Sequence, residues 1–219
     1  MERCGCCARQ FDCKEMVKNE TNSDFYYRFC KALLEPTHLY SRSQVLTKPC
    51  PVPKERGLYA WYFKEIPCIT PTDECVVKDD LTLLYVGRSP RNDKSTGNLR
   101  KRVSCHFEED ASGSTLRLTL GVLLTEKSGF PLRIVGSDES MTFTPPGESS
   151  LNDWMEQNAF VCWATHPKPW EVEADIINSV SPLLNIQKNR RNPFRAKLKE
   201  MREEAKRKAR GMPIFNKSN

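Results

Sequence analysis

No stretch of this 219-residue chain is apolar for long enough to cross a membrane as a helix, so no membrane span and no membrane partner are expected. The start, Met1-Glu2-Arg3-Cys4-Gly5-Cys6, lacks the apolar segment of a secretory leader, and an intracellular place, cytoplasmic or nuclear, is expected. In a reducing compartment the ten cysteines are expected as thiols, metal ligands or small core residues rather than disulfides; Cys105 and Cys162, in apolar surroundings, read as core. A zinc knuckle needs a second closely spaced pair. Cys4, Cys6, Cys7 and Cys13 contain one C-x-x-C pair (Cys4, Cys7) and no partner pair follows, so zinc at Cys4/Cys7/Cys13 is disfavoured. There is no internal repeat, which excludes solenoids and propellers. At 38% hydrophobic and 28% charged residues, the chain suits one compact domain with solvated ends.

Charge is present but unevenly spread. From Ile186 onward twelve Lys or Arg face three Glu, a balance of +9, so the rest of this +6 chain carries −3. Cations from Arg190 to Arg210 could grip phosphates without reading sequence, or could form a solvated helix with no partner. Lys206-Arg207-Lys208 is also compatible with nuclear import.

Periodicity divides the chain. Residues 1–24 read as a weakly ordered cysteine-rich leader. Residues 25–52 carry two short helices, 25–34 and 41–46, the second capped by Ser41, and end at the alternating Pro49, Pro51 and Pro53. Two aromatic and aliphatic runs, 58–63 and 81–87, predict a hairpin with a long connection. A helix is expected over 98–107 with Asn98 as its cap, another over 115–124, a hairpin over 133–143 turning at 136–138, a helix over 149–158, a buried strand over 160–165 and helices over 170–181 and 194–210. The pattern predicts an α+β fold: a small central antiparallel sheet flanked by helices, with inserted helices and a basic C-terminal helix. The main domain would span 53–188 and the basic helical tail 189–219.

Glu173 is the most informative position. Along 170–180 the apolar residues Trp170, Val172, Ala174, Ile176, Ile177 and Val180 cover one broad arc, and Glu173 falls within it. A carboxylate there must be paired, protonated or bound to a metal; a buried ion pair to an arginine and a functional site are both open. Arg102 lies one turn before His106, on the side of its helix that flanks Leu99. Together they could serve a phosphate, or be a surface arginine beside a satisfied histidine. Tyr59 and Tyr85 alone are ordinary strand tyrosines.

Order and spacing join these pieces. Gly57-Leu58-Tyr59, Tyr85-Val86-Gly87, Asn98-Leu99-Arg100-Lys101-Arg102-Val103-Ser104, and Glu173-Ala174-Asp175-Ile176-Ile177 followed by Pro182 and Asn185 together resemble the GIY-YIG nuclease superfamily. The arginine and glutamate helices are similar to those in the GIY-YIG domain of the bacterial excision-repair endonuclease. His106 stands where homing-endonuclease members carry histidine. Three segments depart from the minimal pattern: a long spacer at 64–80, an insertion at 89–97 and a large one at 108–163.

The resemblance implies a metal-dependent endonuclease, acting on DNA by the family's habit. Its glutamate, Glu173, would hold one magnesium or manganese ion, and Tyr85 would be general base towards the attacking water. Tyr59 would position that water, His106 would assist, and Arg102 would offset charge on the phosphate. Asn185 would close the site. The expected substrate contacts are Arg88, Lys101, Asn185, Arg190 and Arg191. Two alternatives remain: a GIY-YIG-like domain that binds nucleic acid or protein without cutting, and an RNA-directed nuclease.

Overall fold

In a computed structural model, the structure describes residues 23–67, 72, 75–108, 110–136 and 140–216. Most of the cysteine-rich leader, and with it the zinc question at Cys4, Cys7 and Cys13, lies outside the described residues.

The centre is β1 (Gly57–Phe63), whose seven residues are all buried. It pairs antiparallel with β3 (Leu81–Ser89) on one side and with β6 (Ala159–Thr165) on the other. β2 (Val77–Lys78) turns through Asp79 and Asp80, both at positive φ, and pairs with the start of β3. The order is β2-β3-β1-β6. The expected hairpin is therefore present, with a two-residue strand folded into its long connection. β6 belongs to this central sheet, so the inserted material ends before it rather than at residue 163.

Alternation along β1 sends side chains to two cores. Tyr59, Trp61 and Phe63 join the core formed with α2 (Arg42–Leu46), α3 (Leu99–Glu108), α4 (Thr115–Leu123), α6 (Pro145–Asn158) and α8 (Arg195–Arg210). Leu58, Ala60 and Tyr62 face α1 (Ser23–Leu34) and α7 (Pro169–Val180). The inserted segment also carries the short α5 (Thr125–Ser128) and the pair β4 (Arg133–Val135) and β5 (Ser140–Thr142). The middle of that expected turn, 137–139, lies outside the described residues.

Helix starts follow local chemistry. Ser41 and Gln44 form a reciprocal capping box on α2, and the Asn98 side chain accepts from the Lys101 amide at 2.9 Å ahead of α3. α6 begins four residues earlier than its periodicity suggests because Pro145 and Pro146 occupy its first turn, where a missing N–H costs no helical bond. Five described cysteines, Cys30, Cys50, Cys75, Cys105 and Cys162, are thiols rather than disulfides; Cys105 and Cys162 are buried as expected. Among the described residues no helix is long and apolar enough to cross a membrane.

Candidate active site

Both tyrosine motifs owe their glycines to close approach. A Cβ on Gly57 would lie 2.2 Å from the Ala164 carbonyl oxygen and 2.8 Å from Leu99 Cδ1, where β1, β6 and α3 converge. A Cβ on Gly87 would lie 2.5 Å from the Tyr59 hydroxyl oxygen. Tyr59 and Gly87 are cross-strand partners, so the first motif's phenol lies across the second motif's glycine.

Tyr59 is buried, and its hydroxyl is 2.9 Å from His106 Nε2. His106 Nδ1 is 2.6 Å from the Ser114 hydroxyl, which also accepts from the Arg117 amide and so caps α4. Burial, reinforced by the Arg102 and Arg117 charges, holds the His106 pKa well below the usual histidine value, so this imidazole is neutral. Burial likewise raises the Tyr59 pKa, and Tyr85 adds to the effect while the Arg102 guanidinium opposes it. Two proton orders satisfy the chain, one for each His106 tautomer.

Arg102 is half-buried at the end of this network. Its guanidinium donates to the Gly113 carbonyl at 3.0 Å and interacts electrostatically with the Tyr59 phenol. Burial disfavours its charge, yet Tyr59, Cys105 and Tyr85 together hold its pKa above the ordinary arginine value. Tyr85 stands beside His106 with ring centroids 6.3 Å apart, edge to face. Burial raises the Tyr85 pKa, and the charges of Arg102, Arg202 and Arg88 pull it back.

Tyr85 opens onto a cleft of about 350 Å³ at the outer edge of β3. β2 covers only the start of that edge. Further along, the Leu184 amide donates to the Leu84 carbonyl at 2.8 Å. The Asn185 carboxamide then takes both backbone groups of Val86, accepting from its N–H at 2.9 Å and donating to its carbonyl at 2.8 Å. Two more buried asparagines brace this segment: Asn189 with Ser181 and Pro182, Asn192 with Leu183 and Phe194.

Glu173 is 7% exposed and lines the same cleft as Tyr85, but it comes from α7, which packs on the other face of the sheet. It forms an ion pair with Arg88, and Lys188 Nζ lies 2.9 Å from the same oxygen, Oε2. The ion pair open from the sequence is thus present, on a solvent-reached wall rather than in a sealed core. Burial lowers the pKa of Arg88 and of Lys188, and each is further depressed by a neighbouring cation, Arg91 and Arg88 respectively.

Of the expected residues, Tyr85, Arg88, Glu173 and Asn185 line the cleft together. Buried Tyr59 and His106, with half-buried Arg102, form a group immediately behind Tyr85. Lys101, Arg190 and Arg191 are exposed and do not line the cleft. The sequence pattern gave no sign of Lys188 or Ser114, and it offered Arg202 and Lys199 only among the tail cations that could grip phosphates. A signal for Arg202 existed. Leu198, Met201, Ala205 and Ala209 fall within about 80° of one another on a helical projection, and Arg202 falls at the edge of that inward arc.

Among the described residues no three or more His, Cys, Asp or Glu side chains cluster as a metal cage. Two carboxylates line the open, polar cleft, Glu173 beside Tyr85's strand and Glu203 on α8, and Glu203 is engaged by Lys206, which leaves Glu173 as the candidate donor. That suits a hard cation which keeps most of its water and takes further oxygens from a phosphate.

The cleft thus gathers two carboxylates, one phenol and several cations at the edge of a small antiparallel sheet. The comparison with known families is specific: the GIY-YIG catalytic domain matches residues 57–204, more than half of the chain. The chain belongs to the GIY-YIG catalytic-domain family, whose function is of nuclease type and whose substrate is nucleic acid. No curated protein and no solved structure matched the chain.

Proposed function

We propose that the protein is a metal-dependent endonuclease that hydrolyses phosphodiester bonds in DNA. The observation that carries this reading is the meeting of Tyr85 and Glu173 across one cleft, each brought there from a different face of the sheet. Tyr85 projects from β3 and Glu173 from α7, and the cleft they share is reached by solvent.

In this reading the scissile phosphate enters between them. Its oxygens take up Arg88 and Lys188, the two cations now spent on Glu173 Oε2, which releases that carboxylate. A divalent ion held by Glu173, magnesium or manganese, would supply positive charge beside the phosphate. Tyr85 accepts the proton of the attacking water as the water oxygen bonds to phosphorus. The bond to the leaving oxygen breaks, and that oxygen takes a proton from solvent. Arg102 favours the phenolate of Tyr85 and offsets charge developing on the phosphate. Tyr59 and neutral His106 fix the geometry behind Tyr85 through their hydrogen bond, and Ser114 fixes His106. Asn185 holds the strand edge from which Tyr85 projects. Lys101, Arg190 and Arg191, exposed around the site, contribute to holding a longer nucleic acid by charge.

The test is a panel of duplex, single-stranded and branched DNA, with matching RNA, incubated with magnesium or manganese, using Glu173→Ala and Arg102→Ala as controls. Magnesium-dependent cutting of DNA that both variants lose supports the reading. Binding without cutting by the wild type would instead favour a non-cleaving module. Cutting of RNA alone would move the substrate class.

A further inference from the structure

We propose that Arg202, on the C-terminal helix α8, is a substrate-contacting residue of the Tyr85 cleft that binds a backbone phosphate of the nucleic acid. The proposal rests on the nuclease reading above and assigns a direct role to a helix beyond the sheet and its two motif helices.

Most cations of α8 point away from the cleft and are occupied. Lys197 pairs with Glu200, Lys206 with Glu203, and Arg207 and Lys208 with Glu204. Arg202 differs in position and in bonding. α8 packs against α4 and β4 through the buried Leu198 and Ala209, with Met201 and Ala205 beside them. This seats Arg202 at the inward edge of the helix, in the cleft wall with Tyr85, Asn185 and Glu173. Its Nε is buried and, among the described residues, has no hydrogen-bond partner.

A buried guanidinium nitrogen without an acceptor is costly, and this one belongs to a side chain in the wall of a cleft that solvent reaches. The unpartnered nitrogen and the cleft-wall position make sense together if the missing acceptor arrives with the substrate. A phosphate oxygen in the cleft would satisfy the guanidinium and sit against Tyr85. Lys199, one turn earlier in the same wall, would take the adjoining phosphate. Glu203 also lines the wall and is engaged by Lys206, which keeps a negative charge from facing the strand unopposed.

The geometry also couples Arg202 to the proposed base. Its charge favours the Tyr85 phenolate, so its loss moves the ascending limb of the pH–rate profile to higher pH.

The experiment measures fluorescence-anisotropy binding of labelled DNA and RNA without divalent metal, from about 50 to about 200 mM salt, and cleavage of the same strands with magnesium. Wild type, Arg202→Met, Arg202→Lys and the outward-facing control Arg207→Gln are compared. Arg202→Met retains the apolar stem that packs on the core. It is expected to lose about tenfold in affinity, to lower the salt slope by about one phosphate's worth, and to shift the ascending limb upward. Arg202→Lys should keep the salt slope, and Arg207→Gln should match wild type within about twofold. Arg202→Met with wild-type affinity, salt slope and pH profile, in a wild type that cuts, overturns this inference alone. A wild type that neither binds nor cuts any strand overturns the nuclease reading and this inference together.

Discussion

Asn185 offers the sharpest structural prediction, because its side chain does something that can be counted. It replaces a neighbouring strand at one residue of β3, taking the Val86 N–H at 2.9 Å and the Val86 carbonyl at 2.8 Å, while itself 7% exposed. Asn185→Ala removes two neutral hydrogen bonds, each worth about 1 kcal/mol net, and leaves a donor and an acceptor at the strand edge. Full desolvation of both orphans would add more. The adjoining cleft admits water to one side, so the expected total is about 2–4 kcal/mol. Asn185→Asp is the informative companion. One carboxylate oxygen can still accept from Val86 N–H, but the other then faces the Val86 carbonyl with no proton between them. At neutral pH this variant should be at least as unstable as the alanine, and it should recover as acid protonates the carboxyl. Urea unfolding reads both effects as a lower midpoint at unchanged slope. Cleavage should fall in parallel, since Tyr85 is the next residue along the strand. Both variants within about 0.5 kcal/mol of wild type at neutral pH would refute the idea that this carboxamide closes the sheet edge.

Two further predictions concern protons. Tyr85 is held above the ordinary tyrosine value by burial, against three opposing arginines, so the reactive phenolate is a minor species at neutral pH. Cleavage limited by that base should rise about tenfold per pH unit from pH ~7 without a plateau below pH ~10; a flat kcat/KM profile over this range excludes Tyr85 as the base. His106 has its folded pKa depressed, so below the free histidine value the unfolded chain takes up the proton first. Its contribution is therefore intact above pH ~6.5 and is lost as pH falls below it, at up to about 1.4 kcal/mol per pH unit. The difference in unfolding free energy between wild type and His106→Gln should shrink across that window, and a pH-independent difference would contradict a neutral, buried imidazole.

How much of this could be read in the sequence depends on what a one-dimensional pattern records. Glu173 announced itself because a helix has a period, and an acid inside an apolar arc breaks it. Gly57 and Gly87 showed as motif letters, but the reason for them, a phenol lying across Gly87 and a carbonyl against Gly57, exists only after the strands pair. Arg202 was grouped with the other tail cations, and its place in the cleft was missed for a different reason. A dense run of cations draws attention to net charge, and the inward arc of Leu198, Met201, Ala205 and Ala209 was hidden beneath it. α6 began early because prolines that break a helix in its middle are harmless in its first turn. β2 has two residues, too few for any alternation to show. Lys188 and the pair Asn189 and Asn192 find their partners through the path of 181–192 around the edge of β3, which no spacing rule encodes.

In the proposed mechanism Tyr85 and Glu173 form one catalytic centre. Its most direct test is nicking of supercoiled DNA under magnesium by wild type, Tyr85→Phe and Glu173→Gln, each first shown to unfold like wild type. Both substitutions keep shape while removing, respectively, the proton acceptor and the charge. The account predicts losses of at least about a hundredfold in each, with the double variant scarcely worse than either single one, as expected when two groups serve one step. Undiminished nicking by either variant, or effects that simply multiply in the double variant, would contradict it.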